Sequence, residues 1–271
     1  MMYYRTVIVH DFLGKIKERQ TMYHFFVDKE QIDEVDKTLV IEGDDYNHIV
    51  NVLRMKTGEE ISVSTRVYDG KEYRYGIEEI EDGVVICKLR FIKEDDIELP
   101  SKIYLFQGLP KADKMELIIQ KAVELGVYEV IPVSMKRCIV KLDDKKAKSK
   151  VQRWQGIAEA AAKQSKRSII PNVHTPVSYT EALKMADDMD VRLVPYELAK
   201  GMEDTRSIIS GIEPGQSVAI FIGPEGGFDD AEIEKALSHG MKTITMGRRI
   251  LRTETAGFTI LAWLSYMLEQ R

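Results

Sequence analysis

Two cysteines, Cys87 and Cys138, are all the thiol chemistry of this chain, and they stand far apart. Without a Cys-x-x-Cys pair they make neither a disulfide framework nor a zinc site, and they suit a reducing, cytoplasmic setting. No ligand cluster with metal spacing is present, so no metal is expected. No apolar run approaches the ~18 residues that a membrane span requires. Residues 1–20 hold only Val7-Ile8-Val9 as an apolar core, too short for a secretory signal. Both common phosphate-cradling glycine patterns are missing, Gly-x-x-x-x-Gly-Lys-Ser/Thr and Gly-x-Gly-x-x-Gly. An excess of positive charge is missing too. The net charge of −5 excludes a generic, charge-driven nucleic-acid binder and leaves only local patches for RNA contact.

What is there is ordinary soluble composition, 44% hydrophobic and 31% charged, in 271 residues, enough for one large domain or two ordinary ones. Residues 1–21 are mixed and aperiodic and read as an extension dispensable for folding. From His24 to about Ile92 short strands alternate (Ile61–Ser64, Tyr75–Ile80, Val84–Leu89), separated by turn signals at Lys56-Thr57-Gly58, Asp69-Gly70 and Asp82-Gly83. One short helix is predicted over Asp44–Val52, capped by Asp44 or Asp45. This is the pattern of a small closed or half-closed barrel. Glu94-Asp95-Asp96-Ile97-Glu98-Leu99-Pro100 is an acidic run ending in proline and reads as a domain boundary.

Beyond it the rhythm changes to strand–helix alternation, which implies a parallel sheet covered on both faces. Strands are predicted at Ile103–Phe106, Val130–Val133 and Val191–Val194. Helices are predicted at Lys111–Leu125, Lys145–Ser165 and, apolar nearly all round, Ala256–Leu268. Between Lys136 and Arg167 eleven lysines and arginines face three acids, an excess of +8 in an acidic chain. That asymmetry fits either a phosphate-bearing partner or a solvated lysine-rich helix face.

The chain is organised around Ser217–Glu254. An apolar strand, Val218–Ile222, runs into Gly223-Pro224-Glu225-Gly226-Gly227. A helix follows, with Asp229 and Glu232 as a capping box, Phe228 and Ile233 at the staple positions, and Gly240 at its end. A second strand, Ile244–Met246, runs into Gly247-Arg248-Arg249-Ile250-Leu251-Arg252-Thr253-Glu254-Thr255. Two loops, each between a strand and a helix, form a small-molecule site outside the carboxyl ends of the strands in α/β domains. Glu225 would repel a phosphate held there, so a neutral or cationic ligand fits better, such as a nucleoside bearing a sulfonium. The plain alternative is a tight turn with a solvent-facing Glu225. Arg248, Arg249 and Arg252 crowd one turn beside a helix start, where cations are disfavoured, and so either meet an anion or pair internally.

The two motifs together resemble the RsmE family, SPOUT-class methyltransferases that modify N3 of one uridine in 16S ribosomal RNA. Further pieces look like the same family: Met22-Tyr23-His24-Phe25-Phe26-Val27, where family members typically open, Asp45-Tyr46-Asn47-His48-Ile49 with Val52-Leu53-Arg54-Met55, Lys114-Met115-Glu116, Glu124-Leu125-Gly126, Arg137-Cys138, and Gln164-Ser165-x-Arg167. The resemblance implies a PUA-like RNA-binding barrel over residues 22–96 and a SPOUT α/β domain with a parallel sheet and a deep trefoil knot over 100–271. It also implies a homodimer, S-adenosylmethionine as cofactor, and 16S ribosomal RNA or the small ribosomal subunit as partner. By resemblance the methyl donor lies among Val194, Pro195, Glu197, Ile222, Gly223, Pro224, Glu225, Gly226, Met246, Gly247, Ile250, Leu251, Arg252 and Thr253. RNA contacts are expected at His48, Arg54, Lys56, Lys111, Arg137, Arg153, Lys163 and Arg167. Arg252, then Arg249, is the expected charge-stabilising or uridine-positioning residue. Glu254 and Glu225 are open between general base and loop brace, and either guanidinium is open as a partner of Glu254.

Three other readings compete. A non-catalytic RNA-binding or ribosome-assembly protein would use the barrel and the basic patch alone. An enzyme of the same class could act on a ribose hydroxyl or a tRNA base. A nucleotide hydrolase is disfavoured by the missing phosphate loop and by Glu225.

Overall fold

The computed structural model describes residues 22–94, 97–196 and 201–269; the expected extension over 1–21 and Glu197 lie outside these. The chain divides between Asp95 and Asp96 into two compact units.

The first unit is a six-stranded sheet. Its strands are β1 (Tyr23–Val27), β2 (Ile32–Asp33), β3 (Thr38–Glu42), β4 (Glu60–Thr65), β5 (Lys71–Glu81) and β6 (Val84–Glu94), in the order β1-β4-β5-β6-β3-β2. β1 runs parallel to β4, and the other pairs are antiparallel. Period-two alternation sorts the residues. Phe25, Leu39, Ile41, Ile61, Val63, Tyr75, Ile77, Val85 and Cys87 form the core. The opposite face of β1, β4 and β5 is polar yet buried. His24 Nδ1 meets Ser62 Oγ at 2.9 Å, and Ser62 Oγ donates to Glu72 Oε1 at 2.7 Å. Arg74 and Lys93 hold the two oxygens of Glu72 at 2.6 and 2.7 Å. The hairpin between β5 and β6 turns at Gly83, whose φ of +87° a side chain would strain.

The short helix differs from expectation. It starts one residue earlier, as α1 (Gly43–Asn47), with Glu42 rather than Asp44 or Asp45 in the cap position. The two aspartates occupy the first turn, where they suit the helix dipole. The chain then widens into a π turn, His48–Val52, closed by the Leu53 amide donating to the His48 carbonyl at 2.8 Å.

The second unit is a parallel sheet with helices. Strands β7 (Lys102–Gly108), β8 (Glu129–Ser134), β9 (Asn172–Val173), β10 (Val177–Ser178), β11 (Val191–Pro195), β12 (Ser217–Ile222) and β13 (Lys242–Ile244) lie in the order β10-β8-β7-β12-β11-β13, with β9 also on β8. Every pairing is parallel. The helices are α2 (Lys114–Glu124), α3 (Asp144–Ser165), α4 (Tyr179–Ala186), α5 (Met202–Ser210), α6 (Asp230–Ser238) and α7 (Thr253–Leu268). Val218–Ile222 in β12 is buried throughout, as a central strand covered on both faces must be. Phe106 and Phe221 stack across β7 and β12 with ring centroids 4.3 Å apart.

Three boundaries differ from the reading of the sequence. α2 begins at Lys114, because Ala112 takes a φ of +53° that no helix continues. The strand expected at Ile244–Met246 ends at Ile244. Beyond it the Thr245 amide donates to Thr205 Oγ1 at 2.9 Å rather than to a strand neighbour. α7 begins at Thr253, so Glu254 lies in its first turn.

Arg167 does not lie on a surface where RNA could reach it. It is 4% exposed. Its guanidinium pairs with Glu98 and donates to the Val123 and Val127 carbonyls at 3.1 and 2.6 Å. Glu98 also accepts from the Ser168 and Ile169 amides at 2.9 and 3.2 Å. Basic residue type and chain position could not reveal this. Arg167 donates to one carbonyl in the last turn of α2 and to one just beyond it, a burial the charge excess conceals.

Candidate active site

The sheet order brings the two motif loops together. β11 lies between β12 and β13, with Leu193 opposite Ile220 and Pro195 opposite Ile244. The Tyr196 amide donates to the Ile244 carbonyl at 3.0 Å. Val194 and Pro195, Ile222–Gly226, and Met246–Thr253 therefore follow three adjacent strand ends on one edge of the sheet, where an α/β fold holds its ligand.

The glycines have steric reasons. A Cβ on Gly108, at the end of β7, would stand 2.7 Å from the Pro224 nitrogen. A Cβ on Gly226 would stand 3.1 Å from the Arg137 Cβ. Arg137 donates to the Gly226 carbonyl at 3.0 Å, and Lys136 pairs with Asp229 at 3.0 Å. Asp229 caps α6 in a box with Glu232, as the sequence predicts, and Glu232 also accepts from the Lys136 amide at 2.8 Å. The first loop is thus pinned at its far end. Gly227 and Gly247 instead face open space, with nothing within 4 Å of the position of a Cβ. Both loops present bare backbone there.

Lys114 is the residue that reading the chemistry of the sequence did not single out. Its ammonium lies 3.2 Å from Glu225 Oε1 and 3.3 Å from Glu254 Oε2, one carboxylate from each motif. Glu225 Oε1 also accepts from the Lys111 amide at 3.0 Å. Burial acts to raise the Glu225 pKa, but its backbone donors and Lys114 hold it below the usual carboxylate range. The hydrogen bond to Glu225, against some desolvation, pushes the Lys114 ammonium up. A carboxylate held low and ion-paired is a poor proton acceptor near neutral pH. Through Lys114, Glu225 and Glu254 link the two motif loops. The only sequence signal for Lys114 was its place in Lys114-Met115-Glu116.

Thr253 makes a second link. Its Oγ1 donates to the Gly223 carbonyl at 2.6 Å and accepts from Gln107 Nε2 at 2.9 Å. Gln107 is fully buried at the end of β7, and its Oε1 has no hydrogen-bond partner among the described residues.

Arg248, Arg249 and Arg252 are exposed, and among the described residues none has an ion pair or hydrogen-bonded side-chain partner. Glu254 takes Lys114 instead. Internal pairing of this cluster is not seen among those residues. Ile250, between them, is 95% exposed.

The remaining basic candidates fall into two sets. His48, Arg54, Lys56, Lys111 and Arg137 are exposed, Arg54 with a left-handed φ of +54°. Arg153 is exposed too, paired with Glu116 at 2.8 Å, and Lys163 is half-buried, paired with Glu159 at 3.3 Å.

Comparison with known proteins adds the following. Residues 97–265 match the model of an RNA methyltransferase domain, and residues 41–90 that of an RNA methyltransferase PUA domain. The chain is 40% identical over 253 residues to the ribosomal RNA small subunit methyltransferase E of Bacillus subtilis, covering 92% of this chain and 98% of that protein. It resembles a crystal structure of the Neisseria gonorrhoeae ribosomal RNA small subunit methyltransferase E bound to S-adenosyl methionine. That likeness has a TM-score of 0.77 and 30% identity over 91% of this chain and 98% of that one. A Legionella pneumophila protein described as a methyltransferase, in complex with the bound cofactor SAM, matches with a TM-score of 0.78 and 32% identity over 90% and 97% of the chains.

Proposed function

The chain belongs to the ribosomal RNA small subunit methyltransferase E family, and on that premise we propose that it transfers a methyl group from S-adenosylmethionine to N3 of one uridine in 16S ribosomal RNA. The observation that carries the reading is the strand-end edge where Lys114 holds both motif carboxylates while three arginines have no partner among the described residues.

The donor set fits this cofactor. S-adenosylmethionine bears an ammonium, a sulfonium and a carboxylate but no phosphate, and the loop carries the carboxylate Glu225, paired with Lys114, in place of the unpaired cation of a phosphate cradle. The bare backbone at Gly227 and Gly247 leaves room for close approach. Val194, Pro195, Ile222, Gly223, Pro224, Gly226, Met246, Gly247, Ile250, Leu251 and Thr253 are the residues that would hold it. When bound, the cofactor supplies an electrophilic methyl group on sulfur.

The protein must supply orientation and charge. N3 of uridine attacks only after its imide proton leaves, and negative charge then spreads onto the neighbouring carbonyl oxygens. An exposed guanidinium with no competing carboxylate can meet that charge. Arg252 holds this role in the proposal, with Arg249 second. Glu225 and Glu254 brace the loops and are not assigned as base. His48, Arg54 and Lys56 in the first unit, with Lys111 and Arg137 in the second, meet phosphates of the RNA.

The proposal includes a cytoplasmic homodimer and a trefoil-knotted second unit. The dimer reading is supported by α7, apolar nearly all round, which leaves Tyr266 and Met267 exposed. No helix among the described residues is long and apolar enough to cross a membrane.

The test is calorimetry with S-adenosylmethionine, followed by methyl transfer to small ribosomal subunits and to their naked RNA. Mass mapping then locates the product. Binding in the micromolar range and one methyl on a uracil base that blocks reverse transcription are expected. Absence of cofactor binding would favour the non-catalytic RNA-binding reading, and a methyl on ribose would overturn the N3 assignment.

A further inference from the structure

Lys114 occupies the first helical position of α2, against the positive end of the helix dipole, where a cation is unfavourable. A local rule broken in this way marks a residue kept for another reason. Here that reason lies in its two partners. Glu225 and Glu254 reach it from different loops at 3.2 and 3.3 Å, and their side chains are 26% and 14% exposed. Without the ammonium they would leave two facing, partly buried negative charges. The second loop carries guanidiniums that could replace it, and Arg252 is only two residues from Glu254 in the chain. Guanidinium binds carboxylate bidentately and more readily than an ammonium does, so the default outcome would be capture of an arginine. Yet Arg248, Arg249 and Arg252 are exposed and have no partner among the described residues.

We propose that Lys114 is a positioning residue that neutralises both motif carboxylates and thereby keeps Arg249 and Arg252 available to the negative charge of the substrate. This rests on the methyl-transfer reading above for what the arginines do. It is independent of that reading for where they sit. A lysine suits the task because a compact point charge can serve two carboxylates from two directions, whereas an arginine fork matches one.

The test is the crystal structure and the turnover of Lys114→Met, with Lys114→Gln as a second variant should the first not fold. The expected structure has Arg252 or Arg249 within about 4 Å of Glu254 or Glu225. Turnover at saturating S-adenosylmethionine is expected to fall about 10- to 100-fold with the melting temperature little changed, as for misplaced catalytic groups. Removing both traps should undo the loss: Lys114→Met/Glu225→Gln/Glu254→Gln should turn over within several-fold of Glu225→Gln/Glu254→Gln. Arginines that remain free in the single variant would overturn the proposal. So would a triple variant that falls as far below Glu225→Gln/Glu254→Gln as Lys114→Met falls below the parent. The structural arm needs no turnover. If the unaltered protein neither bound cofactor nor transferred methyl, the proposed function would fall, while the arginine positions would still decide the role of Lys114.

Discussion

The Thr253 hydroxyl donates to the Gly223 carbonyl at 2.6 Å, tying the first residue of α7 to the loop that leaves β12. The same oxygen accepts from the buried Gln107 amide at 2.9 Å. One side chain thus joins three elements at the candidate pocket.

Thr253→Val keeps the shape but leaves the Gly223 carbonyl and the Gln107 amide without this partner. Losing such buried partners costs about 1–3 kcal/mol. We expect a matching fall in stability by denaturant titration and about tenfold weaker S-adenosylmethionine binding by calorimetry. Thr253→Ser should retain both. Wild-type cofactor affinity in Thr253→Val would show that the tie does not shape the pocket.

Arg252→Ala removes an exposed guanidinium that braces nothing among the described residues. Stability should therefore stay within about 0.5 kcal/mol of the parent. Methyl transfer should fall about 10²–10³-fold, with S-adenosylmethionine binding kept, as for loss of one charge-stabilising donor. Near-normal turnover would end the assignment.

Arg167→Met should behave in the opposite way. It leaves Glu98 without its cation and takes the guanidinium donor from the Val123 and Val127 carbonyls, of which Val123 keeps the Gly126 amide. Breaking one side of a buried pair costs about 3–5 kcal/mol. The expected result is a large drop in melting temperature, with RNA affinity, measured where the variant remains folded, close to the parent value. A stable variant with weakened RNA binding would restore the surface role that its burial argues against.

Glu72 makes the first unit sensitive to acid. Burial would raise its pKa, but hydrogen bonds from Lys93 and Ser62 and the charge of Arg74 hold it below the usual value of 4.5. A carboxyl with a depressed folded-state pKa stabilises fully above the unfolded value and loses that contribution as pH falls through the folded one. The stability difference between the parent and Glu72→Gln, about 3 kcal/mol by analogy with broken buried pairs, should be flat from pH 8 to about pH 5.5. It should shrink below pH 4.5. A difference that grows in acid would contradict this sign.

The two cysteines should differ in reactivity. Burial pushes the Cys87 thiol up to about 12, so at pH 8 it carries almost no thiolate and is sealed in the barrel core. Timed alkylation of the native protein should modify Cys138 first and Cys87 only after unfolding. Equal native rates would mean the first unit opens readily.

Much of the fold was legible because its rules are local and periodic. The alternation in β4–β6, the all-apolar β12 and the box at Asp229 and Glu232 each follow from neighbours in the chain. The two motif loops were legible as strand-end loops because each follows a strand and opens onto a helix. What the sequence could not show is which acid each cation meets. Arg167 and Arg137 carry the same charge in the same basic stretch, yet one is buried in the unit and the other is exposed at Gly226.

By itself the sequence determined the division into a β-rich unit and a parallel α/β unit, the absence of a phosphate cradle, and the chemistry of the two loops. Only the tertiary structure decided that Lys114 takes Glu225 and Glu254, that Arg252 and its neighbours have no partner among the described residues, and that Thr253 ties the loops together. The physical reason is range. Periodicity and capping act within a few residues, whereas ion pairs and buried hydrogen bonds form between groups over a hundred positions apart in the case of Lys114 and Glu225. Their pairing is set by the order of the strands that carry them.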